Sequence, residues 1–495
     1  MNTTIEAEAP PARPARTSAL RSAMACEWRL ARGDFAWRAA VALLVACIAY
    51  ALYEGKARVD ARARGAAEAR ADEARRLGAL TGLLGRVDRG EEPPPAAPYR
   101  DPRNAIFVGR GQGAAVALLP DAPLAIAAIG LSDLYPQAFK VSAGSRDSFL
   151  FADEIANPAG LLEGGFDLAF VLVYLYPLLI LAVCYDVLSG EREQGTLAML
   201  AASSAPLGRV LMGKAAVRAG GLAAAGLLAC GVGLAVAAPG AFRPSAGGPA
   251  SLLALALAVV LYGAFWAALA LAVNALRRDS AFNAVALVAA WVVLLLVAPA
   301  SINAAAQLLY PAPARSEMVE EVREAAVDAE RGLDAAEARY REEHGGAAPG
   351  DARTRRTLEV TLAADARADE VLERQEALIR DQRRLCDRLA YLSPPILFHD
   401  ALAELAGNGH VRWDDYLARV AAFHDVWKSF FVDRASRGAM LTLGDYEAFP
   451  RFPEVASGPS APLASARRVA ASLAGIALAA AALLAWSSRR LPRLE

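Results

Sequence analysis

Cysteine is scarce: five residues in 495, Cys26, Cys47, Cys184, Cys230 and Cys386. Three of them fall in or beside apolar runs and the other two stand alone, so no disulfide framework is expected. Histidine is scarcer still. His344, His399, His410 and His424 have none of the spacings of a metal-ligand pair such as HExxH, and surface or capping roles are expected for them. The 52 basic and 53 acidic residues leave a net charge of −1, without the basic excess that a nucleic-acid binder needs. A working phosphate-binding loop is missing too. Gly208-Arg-Val-Leu-Met-Gly213-Lys214-Ala215 imitates one, but Ala215 stands where Ser or Thr would hold magnesium, and no strand precedes it. Gly109-Arg-Gly-Gln-Gly113 is too short for a dinucleotide fingerprint and reads as a loop. With no nucleophile and base in view, no catalysis is expected of this chain, and no cofactor bound directly.

What the sequence has is apolar residues in blocks, 56% of the whole. Residues 1–34 form a polar tail followed by an amphipathic stretch, with Leu20, Met24, Trp28, Leu30 and Phe35 among arginines. Residues 35–53, 166–184, 219–238, 251–273, 281–298 and 469–486 each approach the ~20 residues of a transmembrane helix. The first reads as an uncleaved signal anchor, because the arm before it is long for a signal peptide. Pro177 predicts a kink in the second. The run Ala114 to Leu131 is not a span, since Pro120-Asp-Ala-Pro123 breaks it.

Six spans place both termini on one side. Arg192, Arg209 and Lys214, then Arg277 and Arg278, then Arg489, Arg490 and Arg493 make that side cytoplasmic, whereas the turn after the third span has only Arg243. The expected fold is a mainly α membrane protein with six transmembrane helices and two large extracytoplasmic domains, residues 54–165 and 299–468. The second contains a long helical hairpin: Met318, Val322, Ala325, Ala329, Leu333, Ala336 and Tyr340 run out, and Leu358, Leu362, Leu372, Leu378, Leu385 and Leu389 return. Its aromatics Trp413, Tyr416, Phe423, Trp427, Phe430 and Phe431 read as packing core.

One polar island differs from an ordinary loop. Within residues 185–218, between the second and third spans, Asp186, Glu191, Arg192 and Glu193 take the chain out of the hydrocarbon. Gly195 permits a sharp bend, and the stretch from Thr196 on offers a short helix along the membrane surface with Leu197 and Leu200 as an exposed apolar knob.

Glu191-Arg-Glu-Gln-Gly-Thr-Leu197, followed by Ala205-Pro206 and Gly213-Lys214, resembles the signature of ABC-2 type transporter permeases. Ile155-Ala-Asn-Pro158, Leu175-Tyr-Pro-Leu178, Leu392-Ser-Pro-Pro395 and Leu405-Ala-Gly407 resemble the subgroup that carries DUF3526. The resemblance implies that residues 185–218 form a coupling segment docking on a separate ABC ATPase, which would bind the ATP and magnesium. It implies that Asp186, Glu191, Arg192, Glu193, Gly195, Thr196, Leu197 and Leu200 serve that contact, and that residues 1–34 include an elbow helix. A second permease copy or a similar permease would complete a dimer in the bacterial inner membrane, for export or for mechanical transmission across it. Lipid and a periplasmic protein are the other expected partners, and nucleic acid is not one. The alternative is a non-transporting scaffold or sensor whose hairpin binds the periplasmic partner.

Overall fold

The computed structural model describes residues 16–130, 137–144, 165–198, 207–244, 248–311, 315–344, 352–453 and 462–490. The chain is mainly helical. Among the described residues six helices are long and apolar enough to cross a membrane: Phe35–Asp88, Leu168–Glu193, Leu207–Ala237, Gly248–Asn274, Ser280–Leu309 and Leu463–Arg490. In this order they are called spans one to six, and together they indicate a multi-pass membrane protein.

Span one departs from the sequence reading, which ended it at Tyr53 and began a new helix at Glu54. It is one unbroken helix of 54 residues. No proline falls inside it, and charges such as Lys56 and Asp60, four residues apart, pair on its surface and so continue the helix into polar surroundings. Asp34 caps its start, accepting from Ala36 N at 3.1 Å. The helix of span three begins at Leu207 and runs through Lys214 into the apolar segment expected from 219, so Lys214 lies in a helix, as expected.

The proline at the middle of span two does more than kink it. A π-turn over Val171–Leu175 precedes Tyr176 and Pro177. Pro177 has no N–H to return to the carbonyl of Val173, and the Tyr262 hydroxyl from span four donates there at 3.0 Å. Span five repeats the device: a π-turn over Val293–Val297 precedes Pro299, and Ser393 Oγ donates to Leu294 O at 2.8 Å. The helix therefore continues to Leu309, beyond the expected Ala298.

Small residues set the distance between spans one and three. A Cβ on Gly221 would stand 2.7 Å from the Trp37 ring, and one on Gly233 2.4 Å from Leu52. A further helix, Pro394–Ala406, is tucked into the bundle beside spans four and six. Its Phe398 stacks on Tyr262 with ring centroids 3.9 Å apart and planes 8° apart, both rings fully buried.

Described parts of the two blocks expected outside the membrane share one core, here called the head. Leu80 and Leu84 at the end of span one, the helix Ala105–Arg110, strands β1 (Ala115–Leu118) and β2 (Ala138–Val141), and Trp413, Tyr416, Phe423, Trp427 and Phe431 on the helix His410–Ser436 share a single core. The strands are antiparallel, with Ala115 opposite Val141. Chain segments about 300 residues apart are joined by buried hydrogen bonds: Tyr416 Oη to Ala117 O at 2.9 Å, Trp427 Nε1 to Gly109 O at 3.3 Å and Tyr446 Oη to Pro102 O at 2.7 Å. The aromatics are packing core, as read. His424, expected near the surface, is instead buried, with Nε2 2.7 Å from Gly144 O.

The hairpin pairs Arg315–His344 with Ala352–Leu389. Arg356 with Asp334, and Arg367 and Arg374 with Glu321, fix it as antiparallel. Leu358 and Leu372 are buried, but Leu362 is exposed. Asp365 and Lys428 tie the hairpin to the head at 2.8 Å.

Candidate functional site

At the end of the bundle away from the head, span two stops in an elbow. Its last helical turn is Ser189–Glu193, and Gly195 follows at φ +73°, a left-handed conformation with no heavy atom within 4 Å of where a Cβ would be. Thr196 N then turns back to Glu191 O at 3.0 Å. Polar bonds to four other elements hold the elbow in place.

The first set is ionic and runs to span three and the amphipathic helix Arg16–Gly33. Glu191 accepts from Lys214 Nζ and from Thr196 Oγ1. Lys214 also lies 3.3 Å from Glu27, whose other carboxylate oxygen takes Arg218 Nε at 2.7 Å. Arg218 continues to Asp186 at 2.8 Å and to the carbonyl of Val183 at 2.9 Å. Glu27 and Lys214 are both buried, so each charge depends on the others for its counter-ion. Two cations thus sit among three carboxylates from three elements.

A second set is neutral and reaches spans four and five. Asn274 Oδ1 accepts from Leu188 N at 3.1 Å and Ser189 N at 3.4 Å, while its Nδ2 donates to Cys184 O at 3.3 Å. Asn283 Nδ2 reaches Tyr185 O and Ser189 Oγ, both at 3.2 Å, and Ser280 Oγ donates to Ser189 Oγ at 2.7 Å. Arg192 donates to Arg277 O at 2.9 Å, and Glu193 accepts from Ser280 N at 2.8 Å.

Asp186, Glu191, Arg192, Glu193, Gly195 and Thr196 are therefore brought together in one joint. Leu197 departs from its reading as an exposed knob: it is half-buried against the membrane core, because the turn at Gly195 folds it back under the elbow. Leu200 lies outside the described residues. Glu27, Arg218, Asn274 and Asn283 were not singled out from the sequence. Lys214 and Arg218 carried a signal, two cations one turn apart at the start of an apolar helix, where an ionisable group calls for a partner. Glu27 carried none until its helix was docked.

Among the described residues no group of three or more His, Cys, Asp or Glu side chains is arranged to hold a metal ion. The chemistry on offer is positional: a polar joint that ties span two to four other elements.

Comparison with curated proteins and with solved structures yields no match. The family model described as "Domain of unknown function (DUF3526)" matches residues 315–453, which take in the hairpin, the tucked helix and the aromatic helix of the head, so over that stretch the chain is similar to DUF3526.

Proposed function

We propose that this chain is the membrane-spanning permease subunit of an ATP-driven ABC-2 type exporter, working through a separate ATPase that binds the ATP and magnesium. The supporting observation is the elbow after span two. A chain with no phosphate-binding loop of its own invests seven charged side chains and five amides and hydroxyls in fixing one short turn. A solvated loop needs no such fixing.

In this reading the ATPase grips the elbow, and nucleotide-driven closure moves spans two to five and the N-terminal helix as one piece. Such a mechanism needs two arrangements of the bundle that ATP binding weights differently. The termini and elbow face the cytoplasm, the head lies outside the inner membrane, and a second copy or a similar permease completes the dimer. The work done is export, or the mechanical movement of a partner on the outer side. The unbroken helix of span one, passing from bundle to head, favours the mechanical variant.

The test is capture of the tagged protein from native membranes in mild detergent, wild type against Gly195→Val. The valine meets no neighbour but strains the left-handed turn. A P-loop ATPase that accompanies the wild type and is lost with the variant, at equal membrane insertion, supports the reading. Its absence from the wild-type capture overturns it.

A further inference from the structure

Spans three and four do not close on each other along their whole length. Between them runs a groove of about 300 Å³, bordered by Met212 and Leu271 at one end and by Ala223 and Val260 at the other. Tyr176 of span two is buried at its floor, where a Cβ on Gly263 would run into the Tyr176 hydroxyl. At its mouth Ala216, Gly220, Val260 and Ala264 are exposed, and Leu484 of span six joins the lining. Every side chain along it but the Tyr176 hydroxyl is apolar.

The dimensions decide what fits. From Met212 to Ala223, and from Val260 to Leu271, each wall is about 16 Å long at 1.5 Å per residue. Spread over that length, 300 Å³ leaves a cross-section of about 18 Å². A second helix, about 10 Å across, needs roughly four times as much and could only lie over the mouth. One extended hydrocarbon chain fills the groove. Its volume is twice that of the ~150 Å³ cavity that takes up one benzene ring, which corresponds to roughly a dozen carbons.

The end at Met212 is basic. Arg209 lies three residues before Met212 on the same face of the helix, is exposed, and forms no ion pair among the described residues. Arg218 and the ionic set of the elbow lie half a turn round the helix from it. No Asp or Glu occurs from residue 194 to 278, nor from 455 to 494, so spans three, four and six bring no carboxylate to these walls. Arg489 and Arg490 end span six within two turns of Leu484.

We propose that this groove binds one acyl chain of an anionic phospholipid, with the chain between spans three and four and the phosphate at Arg209. A zwitterionic lipid offers the same chain but an amine that offsets its phosphate, so a rim with arginine and no acid favours the anionic one. The site adjoins the joint at the elbow. Ala215 on its floor follows Lys214, and Leu271 precedes Asn274 by three residues, so a bound chain sets the spacing of two helices that hold the elbow.

The test reconstitutes the full chain in vesicles of equal parts phosphatidylglycerol and phosphatidylcholine, re-extracts it in mild detergent and counts retained lipid by native mass spectrometry. Wild type is expected to favour phosphatidylglycerol about fivefold, and Arg209→Gln to lose that preference. Gly220→Leu fills the mouth, where no heavy atom lies within 4 Å of a Cβ, and is expected to retain about tenfold less lipid. Gly231→Leu, equally open on the same helix but outside the groove, controls for folding and is expected to match wild type. Equal retention by Gly220→Leu and wild type overturns the site, as does equal retention of the two lipids by wild type. If Gly220→Cys joins two copies through a disulfide in native membranes, a second chain covers the mouth and the proposal fails.

Discussion

Lys214 shows how much one side chain carries in a dry joint. It lies against Glu191 and Glu27, and its removal leaves the Glu191 carboxylate without its cation and the buried Glu27 with Arg218 alone. Breaking a buried pair from one side costs about 3–5 kcal/mol, so Lys214→Met is expected to lower the unfolding midpoint in detergent sharply. Adding Glu27→Gln and Glu191→Gln is expected to restore much of the loss. Asp365 presents the opposite case, in the head. Burial pushes its carboxyl above the ordinary 3.8, and Lys428 only partly offsets this. Such an acid binds more protons folded than unfolded, so its contribution to stability is present below the ordinary value and declines as the pH rises through the interval up to the folded value. Thermal unfolding of the head between about pH 4 and pH 7 is expected to show that slope, and Asp365→Asn is expected to flatten it. A slope unchanged in the asparagine variant would remove Asp365 as its source. The sequence showed both residues as charges and neither as buried, since burial was decided by helices docking from elsewhere in the chain.

At the scale of elements, long apolar runs were legible and their ends were not. Hydropathy marks where lipid stops, whereas the helix stops where a breaker intervenes; no proline or cap separates Tyr53 from Glu54, so span one ran on. The opposite holds at Pro177, read as a kink, and at Pro299, just past the expected end of span five: the helix persists through both because Tyr262 and Ser393 satisfy carbonyls of the preceding turn. Neither hydroxyl is near its proline in sequence. Gly109 gives a prediction at this scale: a Cβ there would meet the Phe431 ring at 2.5 Å. Gly109→Val is expected to separate the helix Ala105–Arg110 from His410–Ser436 at a cost of about 1–3 kcal/mol. Faster limited proteolysis of the head, with the spans intact, is the measurement; equal proteolysis would mean that the head yields elsewhere.

At the scale of the whole molecule, the six candidate spans and the mainly helical character were readable from where the apolar blocks fall, but the union of the two blocks between the spans was not. The continuous apolar run at 115–118 and the aromatics at 413–431 each suggest a core, and nothing local says that it is the same core. The orientation is testable with an impermeant thiol reagent on spheroplasts, in a background with the five cysteines replaced. Ser429→Cys, exposed on the head, is expected to label, and Ser488→Cys, exposed near the end of span six, is expected to label only after lysis. The reverse pattern would invert the molecule.

Span one has one further consequence. At Gly55 the carbonyl oxygen of Ile126 comes so close that a Cβ would sit 2.4 Å from it, a notch where the helix is crossed by the chain of the head. At 1.5 Å per residue the notch divides the helix into arms of roughly 30 Å toward Phe35 and roughly 50 Å toward Asp88. A rod pivoting on that fulcrum is a lever with unequal arms, and it multiplies displacement at the expense of force. In the mechanical variant proposed above, each ångström moved sideways at Phe35 would become about 1.7 Å at Asp88, in the opposite direction.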